Sequence, residues 1–181
     1  MKTITIVFLW IMLFYTNAYA SEKQVHYYEA RLSGGWSVVG NLKTKNTAPD
    51  CTLKKTINKE AEFSINFDLM TNEVIIAFSN IKWKFTEPSE TMLKTRIDFV
   101  SFFHTSKETT LVLIKNENTL SFNRTTAKKY VQNFLQYDSL IISPSNMPRV
   151  QMNLTGSFNA ITKLSECIDK YEDKIRKEKI N

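Results

Sequence analysis

The pattern that most constrains the fold is a strict alternation of polar and apolar side chains in the segment EFSINFDL at residues 62–69. Successive side chains of a β-strand point to opposite faces, so this period of two predicts a strand with one buried face. A tight turn at Thr71-Asn72, followed by the β-branched, apolar run from Val74 to Phe78, predicts that the chain folds back as a hairpin. The sequence therefore favours an antiparallel β-sheet.

Further strands are predicted along most of the chain. Alternation recurs at residues 93–99 and 150–154, and the segment at residues 51–57 is a shorter candidate whose lysines indicate a solvent-facing side. Residues before position 34 are predicted to form a loose lead-in or an early edge strand. Short apolar runs predict additional strands at residues 36–39, 110–114 and 140–142.

Two segments have helical periodicity instead. Thr125 or Thr126 can cap a helix that extends to Leu135, and Ser157 can cap a second helix with an apolar stripe that includes Leu164. We therefore expect an α+β fold in which β-structure dominates: an antiparallel sheet or sandwich carries two packed helices, and one helix closes the C-terminus.

The N-terminus has the pattern of a secretory signal peptide. A basic start at Lys2 is followed by an apolar run from Ile4 to Tyr15 and by the small-residue site Ala18-Tyr19-Ala20. The run is shorter than the roughly 20 residues of a membrane span. We predict cleavage after Ala20, a single β-rich domain at residues 21–171, a charged, solvated tail at residues 172–181, and a periplasmic or secreted location.

The chain contains two cysteines, Cys51 and Cys167. Because an exported protein matures in an oxidising compartment, we predict that they form a structural disulfide. In the chain-entropy model, closing so long a loop stabilises the fold by about 5 kcal/mol. The predicted bond would tie the closing helix to the strand or loop at Cys51.

No recognisable catalytic constellation is present in the sequence. The chain has two histidines, His26 and His104, no HExxH or GxSxG motif, and too few glycines for a phosphate-binding loop. We therefore predict no catalytic residues, no metal site and no cofactor. A hydrolase that uses strand carboxylates such as Glu62, Asp68 or Asp98 remains an alternative, although the alternation favours solvent-facing positions for these acids.

One segment suggests a binding surface. Lys82, Trp83, Lys84 and Phe85, together with Trp36, would form an aromatic and basic patch if the rings were exposed. The alternative is that the rings belong to the core and that only the lysines are exposed to solvent. Export argues against a nucleic-acid partner, and no segment beyond the signal is apolar enough to span a membrane. A small-ligand carrier with an aromatic-lined pocket is a second alternative.

The overall arrangement also resembles a class of small exported proteins. Gly35-Trp36 and Cys51 form a W…C opening, and the chain closes on an L-x-G-s-x-x-A-x-x-x-L-x-x-C motif that consists of Leu154, Gly156, Ser157, Ala160, Leu164 and Cys167. This pattern resembles small periplasmic proteins of Gram-negative bacteria, especially alphaproteobacteria. It is more distantly similar to the invasion-associated-locus-B type of periplasmic protein.

The resemblance implies a periplasmic location and a bond between the two motif cysteines, and it supplies no catalytic residues. This chain departs from the class in having few glycines and many lysines and asparagines. We therefore expect an exported, non-enzymatic domain that binds another protein or a cell-envelope component through a sheet face or an edge strand.

Overall fold

A computed structural model describes residues 26–42, 48–122 and 130–178. The predicted signal peptide and its cleavage site after Ala20 lie outside the described residues. The same is true of Thr125 and Thr126, the predicted caps of the first helix.

The described chain forms one antiparallel sheet of ten strands with two helices, which confirms the predicted β-dominant α+β class. A short 3-10 helix at Ser33–Gly35 precedes the second strand, helix α1 is described at residues 130–133, and helix α2 spans Ser157–Glu178. The strands are β1 His26–Arg31, β2 Trp36–Asn41, β3 Asp50–Asn58, β4 Ala61–Asp68, β5 Glu73–Asn80, β6 Met92–Val100, β7 Thr105–Asn116, β8 Thr119–Ser121, β9 Ser139–Pro144 and β10 Val150–Asn153.

The sheet rolls back on itself. The strand order is β1-β2-β3-β4-β5-β8-β7-β6-β9-β10, so β3 and β10 stand seven places apart. Seven strand spacings in a flat sheet would span about 34 Å. The two strands nevertheless lie in contact. Two tryptophan side chains link the two ends of the rolled sheet. The indole N–H of Trp36 donates to Thr155 O at 2.9 Å, and that of Trp83 donates to Pro148 O at 2.8 Å.

The core fills the inside of this rolled sheet. Phe63 on β4 lies at its centre, with ring centroids 4.8 Å from Phe78, 5.0 Å from Phe134 and 5.9 Å from Trp36. The alternation at residues 62–69 thus corresponds to β4, whose Ala61, Phe63 and Ile65 are buried. Apolar area removed from water stabilises such a core by about 25 cal/mol per Å².

The disulfide between Cys51 and Cys167 is present, as the sequence predicts, with an S–S distance of 2.02 Å and a Cα–Cα distance of 6.1 Å. It joins β3 to α2, which packs against β1, β2 and β3. The helix continues to Glu178, so the charged C-terminal segment is helical through that residue.

Candidate functional site

The rings of the predicted aromatic and basic patch lie in the core. Trp83 is 1% exposed, Trp36 and Phe85 are also buried, and Lys82 and Lys84 are exposed. Residues 82–85 keep their alternation without forming a strand: the N–H of Phe85 donates to Glu117 O at 2.8 Å, outside any strand ladder. The buried rings offer no face on which a base could stack, so the patch presents only its lysines. Their part in binding stays a prediction.

Lys55 is a charged residue on the buried face of β3. It is 5% exposed, its Nζ donates to Gly34 O at 2.6 Å, and the same atom lies 4.6 Å from the centroid of the Trp36 ring. Burial lowers the pKa of this amine because it disfavours the charged form. The predicted wet side of residues 51–57 is therefore correct for Lys54, which is exposed, and wrong for Lys55.

A polar cleft of about 250 Å³ marks the place where the rolled sheet meets itself. The turn between β3 and β4 forms one wall, and the residues that lead into β10 form the other. We call this site the seam cleft, and its polar lining consists of Asn58, Glu60, Asn80, Lys82, Arg149 and Gln151.

The seam cleft presents more donors than acceptors. Lys82 Nζ lies 2.6 Å from Glu60 Oε2, so these two charges neutralise each other. The side-chain oxygens of Asn58 and Asn80 already accept backbone N–H groups, both at 2.8 Å. Within the described part of the chain, the amide nitrogens of the two asparagines and the Arg149 guanidinium have no hydrogen-bond partner.

Trp83 holds the two walls of the seam cleft together. Its backbone N–H donates to Asn80 O at 2.9 Å, while its indole N–H donates to Pro148 O across the cleft. The sequence identified Lys82 and Trp83 but missed Asn80 and Arg149. No local pattern could have found Arg149 beside Lys82, because the two residues are brought together only by the rolling of the sheet.

A second cleft of about 300 Å³ lies nearby and is lined by residues that include Thr56, Lys59, Ser79 and Ile81. Neither of these two clefts is lined by an aromatic side chain. They therefore lack the lining that an aromatic ligand-carrier pocket requires.

The strand carboxylates each have a local partner. Glu62 lies 3.4 Å from Lys54, and Asp98 accepts from Arg96 at 2.9 Å. Asp68 accepts two backbone N–H groups of the following turn, and these hydrogen bonds lower the pKa of its carboxyl. A lowered pKa keeps Asp68 ionised, which is the opposite of what a general acid needs. Within residues 26–42, 48–122 and 130–178, no three His, Cys, Asp or Glu side chains are grouped to hold a metal ion.

A second surface feature was missed by the sequence analysis. The turn between β6 and β7, residues 101–104, which we call the hairpin tip, carries Phe102 and Phe103, which are 89% and 92% exposed. Their rings contact each other edge to face, with centroids 4.8 Å apart. The sequence signal was an adjacent pair of large apolar residues that breaks the alternation of β6.

Comparisons with protein-family models, with curated proteins and with solved structures found no match to this chain. The resemblance drawn from its motifs therefore stays a prediction. None of the helices in the described residues combines the length and the apolar character needed to cross a membrane.

Proposed function

We propose that this chain is an exported, non-enzymatic binding module that recognises a carboxylate-bearing component of the cell envelope, or of another protein, in the seam cleft. Export is supported by the signal-like N-terminus and by the Cys51–Cys167 disulfide, because disulfides persist mainly in oxidising compartments. The periplasm is the compartment that the motif resemblance favours.

The observation that carries the proposal is the set of unpartnered donors in the seam cleft. Arg149 offers a planar guanidinium, which pairs with a carboxylate through two parallel hydrogen bonds. Asn80 is 6% exposed, and its amide nitrogen lines the cleft with a free donor for a bound acceptor. A single unneutralised cation among amides suits a monovalent carboxylate better than a doubly charged phosphate.

The test is retention of an envelope fraction on the immobilised protein. We expect Arg149→Ala to weaken retention by about ten- to a hundredfold, the range of a hydrogen bond to a charged group. Lys115→Ala is the matched control, because Lys115 is an exposed cation on β7 that does not line the cleft. Acetate added in excess should displace the retained component from wild type. Equal retention by wild type and Arg149→Ala would refute the carboxylate site.

Two further measurements separate the parts of the proposal. Lys84 is exposed but does not line the seam cleft, so loss of retention in Lys84→Ala would point to the wider basic patch predicted from the sequence. Intact mass of protein from its native compartment tests export independently. The expected mass lacks residues 1–20 and both thiol hydrogens, and a mass that retains Met1 would refute processing.

A further inference from the structure

The hairpin tip exposes two large apolar rings that do not pack against the core. Phe102 and Phe103 are almost fully exposed, although each ring would gain roughly 2 to 3 kcal/mol from burial. Two other large apolar side chains are exposed, Leu135 just after α1 and Phe158 in the first turn of α2. Large exposed apolar groups of this kind mark interaction sites.

Part of the backbone of the hairpin tip is hydrogen-bonded within the tip or to Asp138. The N–H of Ser101 donates to His104 O at 2.8 Å, and the N–H of His104 donates to Ser101 Oγ at 3.1 Å. The N–H of Phe102 donates to Asp138 Oδ2 at 3.1 Å, and Asp138 is itself held by a 3.0 Å bond from its N–H to Val100 O. Backbone polar groups that enter hydrocarbon must be satisfied internally, because no water is available there. Three of the four N–H groups of the tip are satisfied in this way, whereas His104 O is the one carbonyl of the tip for which the described residues show a donor.

The size of the tip argues for the same partner. Two phenylalanine side chains bury about 300 to 500 Å², whereas a stable protein interface buries about 800 Å² on each partner. A lipid surface needs no complementary shape, so a small convex apolar tip can insert into it. A protein pocket would need additional contact area that the tip alone does not supply.

One exposed lysine, Lys107, would lie at the depth of the lipid headgroups when the tip inserts, and it stands opposite Asp98 in the strand register. Lys94, Arg96 and Lys107 are exposed on the outer face of β6 and β7. Lys107 lies three residues beyond His104, about 10 Å along the strand. Rings in the acyl region would thus leave Lys107 near the headgroups. Asp138 carries an opposing charge at the tip, and Asp98 partly neutralises Arg96.

We propose that the hairpin tip inserts into the outer part of a lipid bilayer, which makes the protein a peripheral, reversible binder of membranes. One myristoyl chain alone gives only marginal, reversible membrane binding. Two phenylalanines are a smaller anchor, so attachment is weak and reversible. This function is separate from that of the seam cleft, and either can fail without the other.

The first experiment measures how deeply the hairpin tip inserts into the bilayer. In the chain that begins at Ser21, both natural tryptophans, Trp36 and Trp83, are buried and give a constant background. A Phe103→Trp reporter should shift its emission to the blue with phosphatidylethanolamine–phosphatidylglycerol vesicles, and brominated acyl chains should quench it. Ile81→Trp, at an exposed apolar position near the second cleft, is the control and should show neither effect. Absence of quenching at Phe103→Trp would overturn insertion.

The second experiment measures affinity by vesicle co-sedimentation. The double variant Phe102→Ser with Phe103→Ser should bind the same vesicles at least about tenfold more weakly. Phe102→Leu with Phe103→Leu should retain binding, and Met70→Ser with Ile81→Ser is the matched control for loss of exposed apolar groups elsewhere. An unchanged midpoint of thermal unfolding verifies the fold of each variant. Equal binding by wild type and the double serine variant would refute the proposal.

Discussion

Around Gly40 the chain leaves no room for a β-carbon. An added Cβ would lie 2.7 Å from Cys167 Sγ and 2.7 Å from the Cζ atom of Tyr27. The Tyr27 hydroxyl in turn lies 2.9 Å from Cys51 Sγ, so the tyrosine covers the disulfide. Close approach, and not an unusual backbone angle, is what requires glycine at this position.

We therefore expect Gly40→Ala to lower the free energy of unfolding by about 3 kcal/mol, because neither the disulfide nor the tyrosine ring can shift freely. Urea unfolding of the oxidised protein measures this change. The same substitution in a Cys51→Ala, Cys167→Ala background should be tolerated better, since the sulfur that it meets is gone. An equal loss in both backgrounds would show that the clash with the sulfur is not the cause.

The two core tryptophans form a natural matched pair. Each indole N–H donates to one backbone carbonyl, Trp36 to Thr155 O and Trp83 to Pro148 O. Replacement of either by Phe should destabilise the fold by about 1–3 kcal/mol, because the carbonyl loses its donor and the smaller ring leaves part of the buried indole site empty. Only Trp83→Phe should also weaken retention of the envelope component, since Pro148 belongs to the wall of the seam cleft. Equal retention by the two variants would show that Trp83 does not contribute to binding in the seam cleft.

Lys55 shows that residue type alone can give the wrong burial for a strand position. A lysine is normally solvated, so its presence indicated a wet face, yet it shares its position in the period of two with Cys51 and Leu53, both fully buried. The alternation was correct and the chemical type misled. The Gly34 carbonyl and the Trp36 ring, which make the burial tolerable, belong to another part of the chain.

Among the elements, most strands of the sheet could be predicted, but its curvature could not. The alternation of β4 reflects burial of one local face, which is why residues 62–69 locate it. β7 was predicted only at residues 110–114 and extends over Thr105–Asn116, because its polar first half is ordered by pairing with β6, as in the pair Val100 and Thr105. The seam cleft depends on contacts between distant strands, and no local pattern encodes them.

The closing helix should depend strongly on its covalent bond. We expect Cys51→Ala with Cys167→Ala to lower the free energy of unfolding by about 5 kcal/mol, because the unfolded chain regains the entropy of a very long loop. Urea unfolding with and without reductant measures the effect. Hydrogen exchange should show lost protection in the slowest-exchanging amides of the sheet, because these exchange through global unfolding, and unchanged protection there would contradict the entropic role of the bond.

For the whole molecule, buried tyrosines predict unfolding at alkaline pH. Burial raises the pKa of Tyr28 to about 12, helped by its 3.1 Å hydrogen bond to Glu166, and burial likewise raises the pKa of Tyr27 and Tyr130. The folded protein then holds protons that the unfolded chain releases from about pH 10 upward. The stability from these groups is complete below pH 10 and is lost as the pH rises through 12.

Lys55 acts in the opposite direction, because its lowered pKa makes the folded state release a proton earlier than the unfolded chain does. Three tyrosines should outweigh one lysine above pH 10. We expect the free energy of unfolding to fall between pH 10 and 12, with part of the fall due to Tyr28. Urea unfolding as a function of pH should give a shallower fall for Tyr28→Phe, and an identical slope in that variant would contradict this assignment.

The disulfide between β3 and α2 can form only after Cys167 has been synthesised. Cys51 is synthesised 116 residues before its partner, a lead of about 6 to 23 seconds at ordinary elongation rates. Throughout that interval its thiol can react only with other molecules. A chain that ends before Cys167 lacks the partner of the Cys51 thiol. A thiol-reactive label therefore distinguishes full-length copies from truncated ones.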